Sequence, residues 1–334
     1  MKVRTWLYFT LISAVLAMVT LAGQPRAETT VSFNAWGGSP TINAYIEWVG
    51  AEMKSRHGIT LEHVKLTDTA NAVSRILAEK TAGRTSDGSV DLIWVNGENF
   101  ASMKRNGLLR DDAWAFGLEN FSLTDPEALP ALINDFATPT DGLESPWGRA
   151  QMVFGHDTAE LPSPPRSADA LKAWIKANPG RFTFPLVPDF TGTTFLKQVL
   201  LEITPDAAVL AGPADDADGE AVLAPLWSWL DEVTPYLWRS GRHYPANYTE
   251  MVQLLGDREI SIAMAFNPAE FSNNISSGVL PDTTRSYIHR DGTIANVHFV
   301  AIPFNASSPE AAMKVANFMP VSYTHLRAHE TVMN

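Results

Sequence analysis

Hydrophobic and polar positions follow two alternating periods along most of this chain. Val31, Phe33 and Ala35 recur at every second position up to Trp36, the period of a half-buried strand. After Gly37 and Gly38 the spacing changes. Ile42, Tyr45, Ile46, Val49 and Met53 recur at intervals of three and four, which predicts a helix over 39–57 with Ser39 as N-cap, Pro40 in the first turn and Gly58 as terminator. The cycle then repeats. A strand is predicted over 59–65, a helix over 70–81 with Val73, Ile76 and Leu77 inward, a continuous apolar strand over 90–95, and a helix over 99–106 that ends at Gly107. Three strand–helix units in succession predict an α/β fold with a doubly wound sheet.

The middle of the chain interrupts this rhythm and then resumes it. Prolines and glycines over 139–148 predict a loop, followed by a strand over 151–154 and a rigid turn over 162–165. Helices are predicted over 167–177, 193–203, 223–237 and 248–255, and strands over 182–187, 260–266 and 297–302. The acidic stretch 206–218 reads as a surface loop. A last helix starts at Ser308, but its periodicity fails after Met319, and 320–334 reads as a non-native tail in place of a natural continuation.

Residues 1–27 do not share the α/β pattern. Lys2 and Arg4 precede an apolar run over 6–21, and small residues lead to Arg26-Ala27, as in a cleavable secretory leader. The cut is expected after Ala27, with Gly23 as the alternative. The chain has no cysteine, so an exported protein of this kind has no disulfides and takes its stability from its size. This combination suits a soluble protein of a bacterial periplasm. The formal net charge of −12 becomes more negative once the basic leader is gone, which argues against nucleic acid and anionic membranes as partners.

Open α/β sheets bind ligands beyond the carboxyl ends of their strands, so the loops at those ends carry the candidate site. They are Trp36, Gly37, Gly38 and Ser39; then Asn96, Glu98 and Asn99; then Asp189, Thr191, Gly192 and Thr193; then Asn267, with Tyr248 opening the helix over 248–255. Each joins a glycine turn or helix N-terminus to hydrogen-bonding side chains, a combination suited to a small ligand approaching the backbone. Trp36 and Trp147 are candidate stacking walls, whereas Trp94, Trp227, Trp229 and Trp238 read as core. Glu98 and Glu270 are candidate counter-charges for a cation. No HExxH, GxSxG, phosphate loop or thiol is present, so no catalytic residue, metal ligand or cofactor is assigned.

The segments FNAWGGSPTINAYIEW, LTDTANAVSRILAEKTAGR, GSVDLIWVNGENFASMKRNGLL, ESPWGRAQMVF, PDFTGTTFLKQVL, YPANYTEMVQLL, AFNPAEFS and HFVAIPFNAS resemble the solute-binding component of ABC importers. More narrowly, they resemble the YnjB-like branch of the family 1 extracellular solute-binding proteins. The resemblance spans nearly all of 31–319. It implies a type II periplasmic binding protein fold: two lobes, each a doubly wound mixed sheet, joined by a hinge of two crossing strands. Lobe 1 would comprise 28–148 plus 268–305 and lobe 2 would comprise 149–267, with the last helix starting over 306–319. It also implies a monomer that carries a small solute to permease subunits at the inner membrane. Thiamine-like and polyamine-like ligands remain open, the aromatics and Glu98 favour a cationic or amphipathic organic solute, and ferric iron is disfavoured because no adjacent tyrosine pair is present. The alternative is an exported α/β hydrolase, such as a glycosidase using two carboxylates across a cleft.

Overall fold

The computed structural model describes residues 29–136, 138–211 and 219–332. The expected leader and most of the acidic loop lie outside the described residues. The strand–helix rhythm of the first third is present: β1 (Thr29–Trp36), α1 (Pro40–His57), β2 (Ile59–Leu66), α2 (Ala70–Thr81), β3 (Leu92–Val95) and α3 (Gly97–Arg105). Local chemistry sets these boundaries. The Ser39 hydroxyl accepts from the Ile42 N–H, and Gly58 closes α1 in the left-handed conformation, with a φ of 66° that glycine adopts freely.

A short hairpin follows, β4 (Asn134–Asp135) and β5 (Thr138–Pro139), then β6 (Glu144–Gln151) and β7 (Val153–Asp157). The remaining elements are α4 (Ala168–Ala177), α5 (Phe190–Ile203), α6 (Gly219–Val233), α7 (Tyr248–Gly256), β8 (Ile262–Ala265), α8 (Glu270–Ser276), β9 (Thr284–Tyr287), β10 (Ala295–Ala301) and α9 (Pro309–Val332).

Two sheets organise the chain. The larger has the order β2-β1-β3-β10-β6, with β1 parallel to its neighbours and β10 antiparallel to both of its own. Alternation along β3 explains how it is buried on both faces. Leu92 and Trp94 pack with α1 and α9, while Ile93 and Val95 pack with α2 and α3. The smaller sheet has the order β8-β7-β9, antiparallel throughout, with one parallel bridge between Phe182 and Ile262. Phe154, Phe195, Trp229 and Phe271 fill the core around it.

The chain crosses between the two sheets twice. Met152 separates β6 from β7, and residues 288–294 lead from β9 back to β10. The crossings are bonded together: the Met152 N–H donates to the Ile294 carbonyl (2.9 Å), and the Thr293 hydroxyl donates to the Met152 carbonyl (2.5 Å). These bonds define the hinge. The second lobe therefore runs well past 267, because β9 pairs with β7 and Phe271 lies in the second core. The physical tie is a close approach. A Cβ on Gly155 would lie 2.2 Å from the Phe271 ring, so glycine lets α8 rest directly on β7.

Other expectations give way to packing. The 139–148 segment is largely strand, not loop. β6 is the edge of its sheet, where Pro146 costs no ladder bond, and a bulge opposite His298 and Phe299 absorbs Trp147. The 182–187 segment is no strand beyond its one bridge. Pro185 and Pro188 lack donors, and neighbouring bonds go elsewhere, as when the Trp238 N–H donates to the Phe182 carbonyl (2.7 Å). Leu77 is 42% exposed and Trp227 is 52% exposed, each one helical step away from the inward face, whereas Trp229 and Trp238 are buried. The backbone of α9 stays helical through Pro320 to Val332. The Tyr45 hydroxyl, donating to the Met319 carbonyl (2.9 Å), fixes the buried half of that helix to α1.

Candidate functional site

A cleft of about 340 Å³ lies between the lobes, at the carboxyl ends of β1, β2 and β3. Trp36, Gly37, Gly38, Ser39, Asn96, Glu98 and Asn99 line it from the first lobe; Asp189, Thr191, Tyr248 and Asn267 line it from the second. Trp36 is its central wall. The indole packs against the cores of both lobes and meets Trp94 and Tyr248 edge-on, at 6.3 Å and 6.5 Å between ring centroids. A Cβ on Gly38 would lie 2.3 Å from Trp36 Cζ2, and one on Gly37 would lie 2.7 Å from Lys65 Cβ. The paired glycines therefore make room for the protein's own indole and lysine rather than for a ligand at the backbone.

Three expected residues do not line the cleft. Trp147 is 2% exposed within the first core, stacked on Tyr45 at 5.6 Å and 3°. Gly192 faces Pro185, whose carbonyl oxygen would lie 2.0 Å from an added Cβ, so it serves the packing of α5. Thr193 is one position further round that helix and donates its N–H to the Asp189 carbonyl (2.9 Å).

Several polar side chains serve the scaffold as well as the cleft. Asn96 accepts from Trp94 Nε1 (3.0 Å) and donates to the Val297 carbonyl (2.6 Å), holding the β3 end against β10. The Asp189 carboxylate caps α5, accepting from the Thr191 (2.9 Å) and Gly192 (3.1 Å) N–H groups. Burial pushes the Asp189 carboxyl up to about 6 against those two bonds, and the charge of Asp68 across the cleft adds to the rise. Asp68 is itself a cap, accepting from the Ala70 N–H (2.8 Å). Two acids thus face each other, each already holding a helix end.

Glu98 is not an open counter-charge. Its carboxylate pairs with Lys197 of α5 on the opposite lobe, Oε2 to Nζ at 2.9 Å. Lys197 Nζ also lies 4.4 Å from the centroid of Phe136, whose ring meets Phe190 at 6.2 Å. These contacts join the lobes beside the cleft.

Glu270 differs from the other acids. It is 7% exposed yet lines the cleft, and its hydrogen-bond partners are neutral: Tyr248, Asn267 and Asn274. Burial pushes its carboxyl up, and those three partners oppose the rise. Burial, then the Glu270 charge, pushes the Tyr248 hydroxyl up as well.

The sequence pattern also missed part of the lining. Phe190 and Phe266 adjoin assigned residues and were legible as neighbours of Asp189 and Asn267. Asn296 and His298 lie on the returning strand β10, where nothing in the local sequence marks them as cleft residues.

Residues 48–320 match the family of bacterial extracellular solute-binding proteins, and the chain belongs to that family. Its architecture is the type II periplasmic binding protein fold. Protein YnjB of Escherichia coli (strain K12) is 48% identical over 290 residues, covering 87% of this chain and 74% of that protein. Among solved structures, the substrate-binding protein of an ABC transporter from Agrobacterium tumefaciens superposes with a TM-score of 0.62 at 14% identity, covering 87% of this chain and 75% of its own. A spermidine/putrescine ABC transporter protein from Listeria monocytogenes gives 0.61 at 16% identity, with 87% and 78% covered. AfuA from Actinobacillus pleuropneumoniae, solved with fructose-6-phosphate, gives 0.60 at 12% identity, with 90% and 83% covered.

Proposed function

We propose that this chain is the receptor of an ABC importer. It captures a small organic solute in the cleft, closes about the Met152–Ile294 hinge, and delivers the solute to permease subunits at the inner membrane. It works as a monomer in the periplasm, after loss of its leader. The carrying observation is that both lobes contribute to one cleft of about 340 Å³, with Trp36 touching both cores. A cavity of that size suits a single small solute, and closure over it is the expected hinge motion of two lobes joined by two short crossings. Family membership supports the same reading. The solved relatives carry names as different as spermidine/putrescine and fructose-6-phosphate, so they support capture without choosing a solute.

The protein binds without chemistry in this reading. Asp68 and Asp189 both line the cleft, but both carboxylates already accept backbone N–H bonds at helix starts. Native mass spectrometry of the chain purified without unfolding tests the proposal. One small molecule per chain, lost on unfolding, is expected. Release of products from a glycoside or ester, with no retained solute, would replace the receptor by an enzyme.

A further inference from the structure

We infer that the captured solute is an organic cation whose protonated or quaternary nitrogen seats against Glu270, with its apolar body against Trp36 and Tyr248. The inference rests on the receptor reading above and names the chemistry of that same site.

The argument starts from an uncompensated charge. Glu270 opens α8 and is buried, but it faces the cleft. Asn267 Nδ2 and Asn274 Nδ2 each approach it at 3.4 Å, and the Tyr248 hydroxyl completes the set. No basic side chain contributes to its environment among the described residues. The cleft does have cations, but they are placed elsewhere. Lys65 and Arg149 are exposed, and Lys197 is engaged by Glu98. His298 lies on the other lobe, its ring 4.9 Å from that of Trp94. A carboxylate in such surroundings either holds a proton or waits for a positive partner. Burial pushes its carboxyl up, and a cation beside it would favour the ionised form.

The aromatic surface points the same way. Trp36 and Tyr248 meet edge-on beside Glu270, and Phe266 precedes it on the same lobe. Aromatic faces attract cations, most strongly where water is excluded. The α5 N-terminus, the ordinary seat for an anion, is filled by the protein's own Asp189 carboxylate.

Isothermal titration of the full chain, stripped of co-purified small molecules, tests the inference with putrescine, choline and thiamine as cations, glucose as a neutral probe and succinate as an anion. Native mass spectrometry of the unstripped protein identifies any retained solute. Saturable binding of a cation, weakened tenfold or more in Glu270→Gln, is the expected result. A retained cation would support it too. A cation bound equally well by Glu270→Gln would overturn the role of Glu270. Binding of glucose or succinate without any cation, or a retained neutral or anionic solute, would overturn the inference and leave the receptor standing. No binding and no retained solute would overturn both. Should Glu270→Gln fail to fold, Glu270→Asp, which draws the carboxylate back by one methylene, decides: cation binding must weaken with melting near that of the parent chain, and unchanged binding sinks the proposal.

Discussion

Lys197 Nζ sits 2.9 Å from Glu98 Oε2, joining α5 of one lobe to the start of α3 of the other beside the solute cleft. Both side chains are more than a third exposed, so water screens the pair, and such pairs contribute at most about 1 kcal/mol. The Phe136 ring under the same ammonium adds about 0.5–1 kcal/mol. Lys197→Met should therefore shift the balance of open and closed forms by a few-fold without unfolding either lobe. Small-angle scattering of the solute-free protein should show a larger radius of gyration than the parent chain. An unchanged radius would mean that the latch does not help hold the lobes together.

The raised Glu270 carboxyl fixes the sign of a pH effect on solute binding. In the empty site burial favours the protonated form, and a bound cation favours the ionised form. Binding then releases a proton wherever the empty site is protonated, and affinity falls as pH drops through the raised range. Calorimetry in two buffers of different ionisation enthalpy should reveal that proton at the acidic end and lose it at the alkaline end. Equal heats in both buffers at every pH would contradict it.

Two glycines should differ in their effects. Gly192→Ala places a methyl 2.0 Å from the Pro185 carbonyl oxygen, a backbone atom that moves only with its chain, so a loss of about 1–3 kcal/mol is expected. Gly38→Ala meets the Trp36 indole at 2.3 Å, and a side chain yields more readily than backbone. It should lower solute affinity as well as the melting temperature, because the indole it displaces packs against both cores. Thermal melts and titrations of both variants check the contrast.

Asp135 carries a buried carboxyl that accepts from the Gly97 N–H (2.5 Å), and burial pushes it up to about 7. A carboxyl raised on folding costs nothing below its unfolded value, and its full cost is present above its folded one. Asp135→Asn keeps an acceptor for Gly97 and removes the charge. It should raise the melting temperature at pH 8, with the gain shrinking towards pH 5. A gain of equal size at both values would show that the charge is not its source.

The alternating strands and helices of the first third of the chain were legible because their causes are local. Ser39 and Gly58 bracket α1 through bonds within a few residues, and the alternation of Val31, Phe33 and Ala35 survives in the packed sheet. The β6 strand was hidden because proline and glycine carry the local signature of a loop. Only its place at the sheet edge makes them tolerable.

The sequence by itself determined the α/β class, the family, and which loops gather at the carboxyl ends of the strands. Periodicity, caps and turn residues act over a few positions and are written in order along the chain. Tertiary structure decided what each candidate does there. It turned Trp147 into core, spent Glu98 on Lys197, filled the space beside Gly38 with Trp36, and left Glu270 buried without a positive partner among the described residues. Those outcomes depend on charge and contact between residues as far apart in the chain as Glu98 and Lys197. No local pattern encodes which of several acids will find a partner once the lobes meet.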